Sequence, residues 1–140
     1  MIGLDSKIFV SGQIAPSDIA EAAAAGVKTI VNNRPDGEEP GQPTSAEIEA
    51  ASRAAGLAYR HIPVAGGFSQ SQVEAMAKAL EDGPVLAFCR SGTRSTWLWA
   101  LARARLGAPA AELVAMAAAA GYDLAPIRLY LGGRSAPPVS

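Results

Sequence analysis

Short apolar runs alternate along the chain with longer segments in which apolar residues recur at helical spacing. A short run bounded by glycine, proline or asparagine is typical of a buried strand, whereas apolar residues three and four positions apart predict a helix. Serine or threonine followed three residues later by glutamate or glutamine marks two of the helix starts. The pattern predicts strands over 7–12, 27–32, 57–63 and 85–88, and helices over 16–25, 44–56, 69–80, 96–106, 109–119 and 124–131.

The regular alternation of strands and helices predicts an α/β fold. We expect a central, mostly parallel, four- to five-stranded sheet flanked by helices, with right-handed crossovers. The 140-residue length suits one domain, which we place at 1–131, followed by a loose C-terminal tail over 132–140. Loops over 12–15, 33–43 and 65–68 should meet at the carboxyl edge of the sheet, where ligands bind in such folds.

Net charge and cysteine content exclude several classes of function. The formal net charge is −1, so no basic surface for nucleic acid or an anionic membrane is expected. The chain lacks a long apolar run and a signal-peptide pattern, and its single cysteine excludes an internal disulfide. We therefore expect a cytoplasmic protein. One cysteine and one histidine cannot supply four ligands to zinc, and no cofactor is indicated.

The most informative stretch is the one around the single cysteine, Cys89. It follows the apolar run 85–88 and precedes a loop of small, polar and cationic residues. A strand, a tight loop and a helix gather backbone N–H groups and the positive helix end around one point, which favours both a thiolate and a bound anion. A lone cysteine at a strand end is more often a small packing residue, but the flanking arginines favour a nucleophile. The predicted anion-binding loop contains Arg90, Ser91, Gly92, Thr93 and Ser95.

Arg94 is the second predicted catalytic residue, because its planar guanidinium matches phosphate, sulfate or thiosulfate. Arg90 is expected to lie at the rim. Asp36 is a candidate general acid, although a solvated surface charge is the more common role for such a residue. Asn33 and Arg34 are candidate pocket residues, with structural hydrogen bonding as an equal alternative.

Two families use a cysteine loop of this kind. Protein tyrosine and dual-specificity phosphatases carry HCxxGxxR, whereas rhodanese-like sulfurtransferases have a loop one residue shorter. Here Gly92 lies three residues after Cys89, Arg94 lies five after it, and Phe88 stands where the phosphatases have histidine. The loop itself therefore resembles a rhodanese loop.

The rest of the chain resembles a different family. Residues 8–13, 27–36 and 59–64 resemble the strand sequence of a dual-specificity phosphatase. Nearly the whole chain is similar to the phosphatase-like domain of beta-lactamase-hydrolase-like proteins, and residues 32–43 and 120–124 are typical of that family. The resemblance implies a cysteine-phosphatase-like fold, and either phosphatase or sulfurtransferase activity. It also implies sulfide-oxidising enzymes as pathway partners in bacteria. In dual-specificity phosphatases an aspartate acid follows the third strand, but residues 64–68 contain no acid.

Three functions are open at this point. We place first a sulfurtransferase that carries sulfane sulfur as a Cys89 persulfide, from thiosulfate or a persulfide to a small thiol or cyanide. A stabilised anionic leaving group needs no general acid. The alternative is a phosphatase acting on a phosphoester through a Cys89 phosphocysteine. The third is a non-catalytic anion-binding or redox-sensing module.

Overall fold

The computed structural model describes residues 1–132, and these form one α/β domain. The last eight residues of the predicted tail lie outside the described part of the chain. Strands are β1 Ile2–Asp5, β2 Ile8–Ser11, β3 Thr29–Asn32, β4 Ala58–His61 and β5 Val85–Phe88. Helices are α1 Ile19–Ala24, α2 Ser45–Ala54, α3 Gln70–Glu81, α4 Thr93–Arg105 and α5 Ala110–Ala119, with 3-10 helices at Pro16–Asp18 and Ala125–Tyr130.

The five strands form a single sheet in the order β1-β2-β5-β3-β4. The pairs β2–β5, β5–β3 and β3–β4 are parallel, and only β1, paired with β2, is antiparallel. The expected mostly parallel sheet is therefore confirmed. The strand that precedes Cys89, β5, lies at the centre of this sheet, with a neighbour on each side.

The side chains of β5 divide the core into two layers. Val85 and Ala87 pack with residues of α3, α4 and α5, including the fully buried Trp99. Leu86 and Phe88 pack on the opposite face with residues of α1 and α2. Each side chain of β5 is buried, because helices cover both faces of the sheet.

Two predicted capping boxes set the starts of α2 and α3. The Thr44 hydroxyl accepts from the Glu47 N–H, and the Glu47 carboxylate accepts from the Thr44 N–H. Ser69 and Gln72 make the same reciprocal pair at α3. These bonds satisfy amides that a helix start leaves unpaired.

One strand was missed and one helix start was wrong. The strand β1 was not predicted, because it is short, contains a glycine and joins β2 through a tight turn in which the Asp5 carboxylate accepts from the Lys7 N–H. The helix α4 begins at Thr93 and not at 96, so Arg94 lies on its first turn. Gly92 makes this early start possible, since its φ of 93° turns the chain directly into the helix.

Within residues 1–132, none of the helices combines the length and the apolar character that crossing a membrane requires.

Candidate active site

Cys89 lies at the carboxyl end of β5, where backbone bonds from both neighbouring segments fix the chain. Its N–H donates to the Ser11 carbonyl at 3.3 Å, and the Phe88 carbonyl accepts from the Asn33 N–H at 2.8 Å. The residue is fully buried. Cys89 thus lies at the carboxyl edge of the sheet, the edge at which ligands bind in such folds.

The loop after Cys89 places one of its backbone amides on the sulfur. The Gly92 N–H donates to Cys89 Sγ at 3.1 Å. The Thr96 N–H and hydroxyl both donate to the Gly92 carbonyl, which continues the loop into α4. Within residues 1–132, no protein group accepts from four other amides of this stretch, those of Arg90, Ser91, Arg94 and Ser95. Unpaired amides at a helix start next to a thiol form a site suited to an anion.

Arg94 is held in place by two neighbouring segments. Its Nη1 donates to Glu38 Oε2 at 2.8 Å and to the Val64 carbonyl at 2.7 Å, and its Nη2 donates to Glu38 Oε1 at 2.8 Å. A guanidinium has five N–H donors, so the Nε–H and one Nη2–H remain. Hydrogen bonds to Glu38 raise the pKa of Arg94; burial opposes this, and the nearby Cys89 adds to it. Arg94 therefore lies in the electrostatic surroundings of Cys89, with two N–H donors left for a ligand.

Glu38 joins Arg94 to a second, buried arginine. Arg34 donates from Nε to Glu38 Oε1 at 2.8 Å, from Nη2 to Glu39 and from Nη1 to Gln13 Oε1 at 2.9 Å. Hydrogen bonds from Arg94 lower the pKa of Glu38 to about 2, against an opposing effect of burial and with help from Arg34. Glu38 is therefore ionised at neutral pH and has no proton to donate.

Arg90 and the loop hydroxyls lie at the rim. The Arg90 side chain is 68% exposed, and its Nε lies 3.2 Å from Glu39 Oε1. Ser91 Oγ donates to Thr93 Oγ1 at 3.1 Å. Arg90 occupies the rim position expected for it, and the two hydroxyls are exposed or half-buried beside it.

Ser95 and Asn33 brace the loop from below. Ser95 Oγ donates to Asn33 Oδ1 at 2.8 Å, and Asn33 Nδ2 donates to the Ile62 carbonyl at 2.9 Å. Both residues are fully buried. Ser95 was grouped with the anion-binding loop, but its hydroxyl is used in this internal bond. Arg34, the other candidate pocket residue, is also buried and paired with two carboxylates.

Asp36 is not brought into this network. Its carboxylate accepts from the Ser45 N–H at 2.7 Å, at the start of α2. An anionic side chain stabilises a helix start, so a structural role accounts for Asp36. His61 is likewise structural, since its Nε2 lies 2.9 Å from the Arg34 carbonyl oxygen.

Sequence reasoning missed two residues of the site. Glu38 was not among the predicted site residues, although its spacing of four from Arg34 could have indicated the pair. Tyr122 was not predicted to belong to the site either, and its hydroxyl donates to the Ser91 carbonyl at 3.1 Å. No local pattern indicates that contact, because 31 residues separate the two partners.

Comparison with known proteins gives the family. The model of the phosphatase-like domain of Beta-lactamase hydrolase-like proteins matches residues 3–106. The chain belongs to this family. It is 37% identical over 128 residues to the Beta-lactamase hydrolase-like protein of Xylella fastidiosa Temecula1, covering 89% of this chain and 30% of that protein. The Agrobacterium fabrum C58 protein is 37% identical over 106 residues, covering 74% and 25%. The chain thus spans less than a third of these curated relatives.

Solved structures agree with this family assignment. A candidate phosphatase of Neisseria meningitidis Z2491 has a TM-score of 0.81 at 37% identity, covering 94% of this chain and 96% of that chain. Tk-PTP in its active form, at 19% identity and a TM-score of 0.66, covers 92% and 90% and shares the fold. Family and fold agree, and the chain has a cysteine-phosphatase-like fold.

Proposed function

We propose that this phosphatase-like domain is a cysteine-dependent phosphoric monoester hydrolase in which Cys89 is the nucleophile. The supporting observation is the joint position of Cys89, the unpaired amides of its loop and the free edge of Arg94. The sequence placed sulfur transfer first, but the relatives favour the phosphoryl alternative. Among them, TpbA of Pseudomonas aeruginosa, 19% identical to this chain, was solved in complex with pTyr.

The reaction follows from the groups at the site. The Cys89 thiolate attacks phosphorus, the bond from phosphorus to the ester oxygen breaks, and the leaving group departs with the electron pair. The loop amides and the Nε/Nη2 edge of Arg94 hold the oxygens of the phosphoryl group as it transfers. Water then attacks the phosphocysteine, which releases phosphate and regenerates the thiol.

The substrate class follows from the state of Glu38. Its pKa of about 2 leaves it without a proton at neutral pH, and Asp36 is engaged at α2. Glu38 therefore has no proton to give to a departing alkoxide. The enzyme should therefore act on esters whose leaving group is already a stable anion, such as aryl phosphates. A reducing compartment such as the cytoplasm would keep Cys89 active.

A leaving-group series tests this function. We expect kcat/KM to fall steeply from 4-nitrophenyl phosphate to phenyl phosphate to an alkyl phosphate, and to be lost in Cys89→Ser. Asp36→Asn is the matched control and should keep the native profile. A flat dependence on the leaving group, or a profile changed by Asp36→Asn, would show that a proton donor operates.

Sulfur transfer is the second candidate, favoured by the same ionised Glu38. In this reaction Cys89 attacks the outer sulfur of thiosulfate, the S–S bond breaks and sulfite leaves. A small thiol or cyanide then takes the sulfur from the Cys89 persulfide. Formation of thiocyanate from thiosulfate and cyanide, lost in Cys89→Ser, would support it. The same preparation turning over aryl phosphates without forming thiocyanate would exclude it.

A further inference from the structure

One peptide plane of the cysteine loop is held from both sides. The Ser91 carbonyl accepts from the Tyr122 hydroxyl at 3.1 Å, and the Gly92 N–H donates to Cys89 Sγ at 3.1 Å. These two groups belong to the same planar peptide unit, in which C=O and N–H point in opposite directions. Fixing the oxygen therefore also fixes the direction of the N–H.

This peptide needs such a restraint. Gly92 lacks a Cβ and can adopt both signs of φ at little cost, so the peptide before it can rotate easily. A rotated peptide would turn its carbonyl oxygen, and not its N–H, towards the sulfur and any bound anion. The Tyr122 hydroxyl lies where a Cβ at Gly92 would be, so the tyrosine also closes the space beside the glycine.

Tyr122 itself is anchored on both sides. Its N–H donates to the Ala117 carbonyl at 2.9 Å, at the end of α5. The next residue, Asp123, accepts at its carbonyl from Trp97 Nε1 at 3.0 Å, which ties the segment to α4. Burial raises the pKa of Tyr122, and the electrostatic effect of nearby Cys89 adds to this, so the phenol stays a donor.

We propose that Tyr122 is a positioning residue that holds the Ser91–Gly92 peptide with its N–H on the Cys89 thiolate. The inference rests on the proposed role of Cys89 as nucleophile. Removing the hydroxyl frees the peptide, weakens the Gly92 bond to the thiolate and favours the protonated thiol. The charged groups near the sulfur belong to one ion-pair network. In it Glu38 pairs with Arg94 and Arg34, and Glu39 pairs with Arg34 and Arg90.

The test is a titration of the thiolate by its ultraviolet absorbance, which does not require access to the buried sulfur. The native chain, Tyr122→Phe and the control Tyr130→Phe are each measured against Cys89→Ser in the same background. Cys89 is the single cysteine, so the difference spectrum has one source. In Tyr122→Phe we expect the midpoint to rise by about half a unit to one unit. Tyr130→Phe should match the native chain.

The outcomes separate this inference from the proposed function. A native midpoint in Tyr122→Phe, with normal aryl phosphatase activity in the native chain, overturns the role of Tyr122 alone. Absence of activity in the native chain overturns the proposed function instead. A lower unfolding temperature for Tyr122→Phe with an unchanged midpoint would identify a packing role and would also overturn the inference.

Discussion

Replacing Glu38 by glutamine removes the carboxylate that joins Arg94 to Arg34 while keeping the size of the side chain. In the native protein the pKa of Glu38 is about 2, against an ordinary value of 4.5. At about 1.4 kcal/mol per unit of pKa, the difference sets an upper bound of roughly 3 kcal/mol. The side chain is 28% exposed. Solvent screening therefore reduces the expected loss of unfolding free energy to about 1–2 kcal/mol.

The stabilisation by Glu38 should depend on pH. Because the pKa of Glu38 is lower in the folded state, its contribution is complete above about pH 4.5 and is lost as the pH falls towards 2. Urea unfolding should therefore separate the native chain from Glu38→Gln at neutral pH, and the two should converge near the acid end. Glu49→Gln is the control, because Glu49 pairs with Arg53 on an exposed helix face.

The control should lose less than about 0.5 kcal/mol at neutral pH. A loss of that size in Glu38→Gln, or a loss that stays constant down to the acid end, would refute the reasoning. The ion-pair network would then be a surface feature without influence on the fold or on Arg94.

Three further changes test other contacts of the site. Arg94→Lys keeps the charge but removes the planar edge, and aryl phosphatase kcat/KM should fall about 100-fold in steady-state assays. Gly92→Ala should lower the free energy of unfolding, measured with urea, by more than about 2 kcal/mol, because the new Cβ needs a left-handed φ and overlaps the Tyr122 hydroxyl. Gly26→Ala is the control: its φ is similar but its surroundings are open, so it should lose about 1 kcal/mol. Ser95→Ala should lose about 1–3 kcal/mol, because it leaves the buried Asn33 oxygen unpaired; an unchanged unfolding midpoint would contradict this.

The parts of the fold that depend on local pattern were predictable. The apolar run ending at Phe88, the capping boxes at Thr44 and Ser69, and the alternation of strands with helices all have signals within a few residues. Residues two positions apart on a helix cannot share one face, and accordingly Trp99 is fully buried while Trp97 is half-buried. Each of these features is set by neighbours in the sequence.

The partners within the site were not predictable in the same way. Cys89 and Arg94 were identified from their spacing, but the contacts of Arg94 with Glu38 and Val64 cross 56 and 30 residues of sequence. The start of α4 was missed because the left-handed φ of 93° at Gly92 is a backbone feature that the apolar spacing does not show. Asp36 was a candidate acid because of its residue type. Its carboxylate instead accepts from the Ser45 N–H at the start of α2, a contact that the local sequence pattern does not show.

The most direct test of the central claim is intact-mass analysis of the native chain, acid-quenched during turnover of 4-nitrophenyl phosphate. Because the leaving group departs easily, hydrolysis of the intermediate should be the slower step, and one phosphoryl group should accumulate on Cys89. We predict this adduct in the native chain and its absence in Cys89→Ser. Turnover that persists in Cys89→Ser, or an adduct on any other residue, would contradict the account.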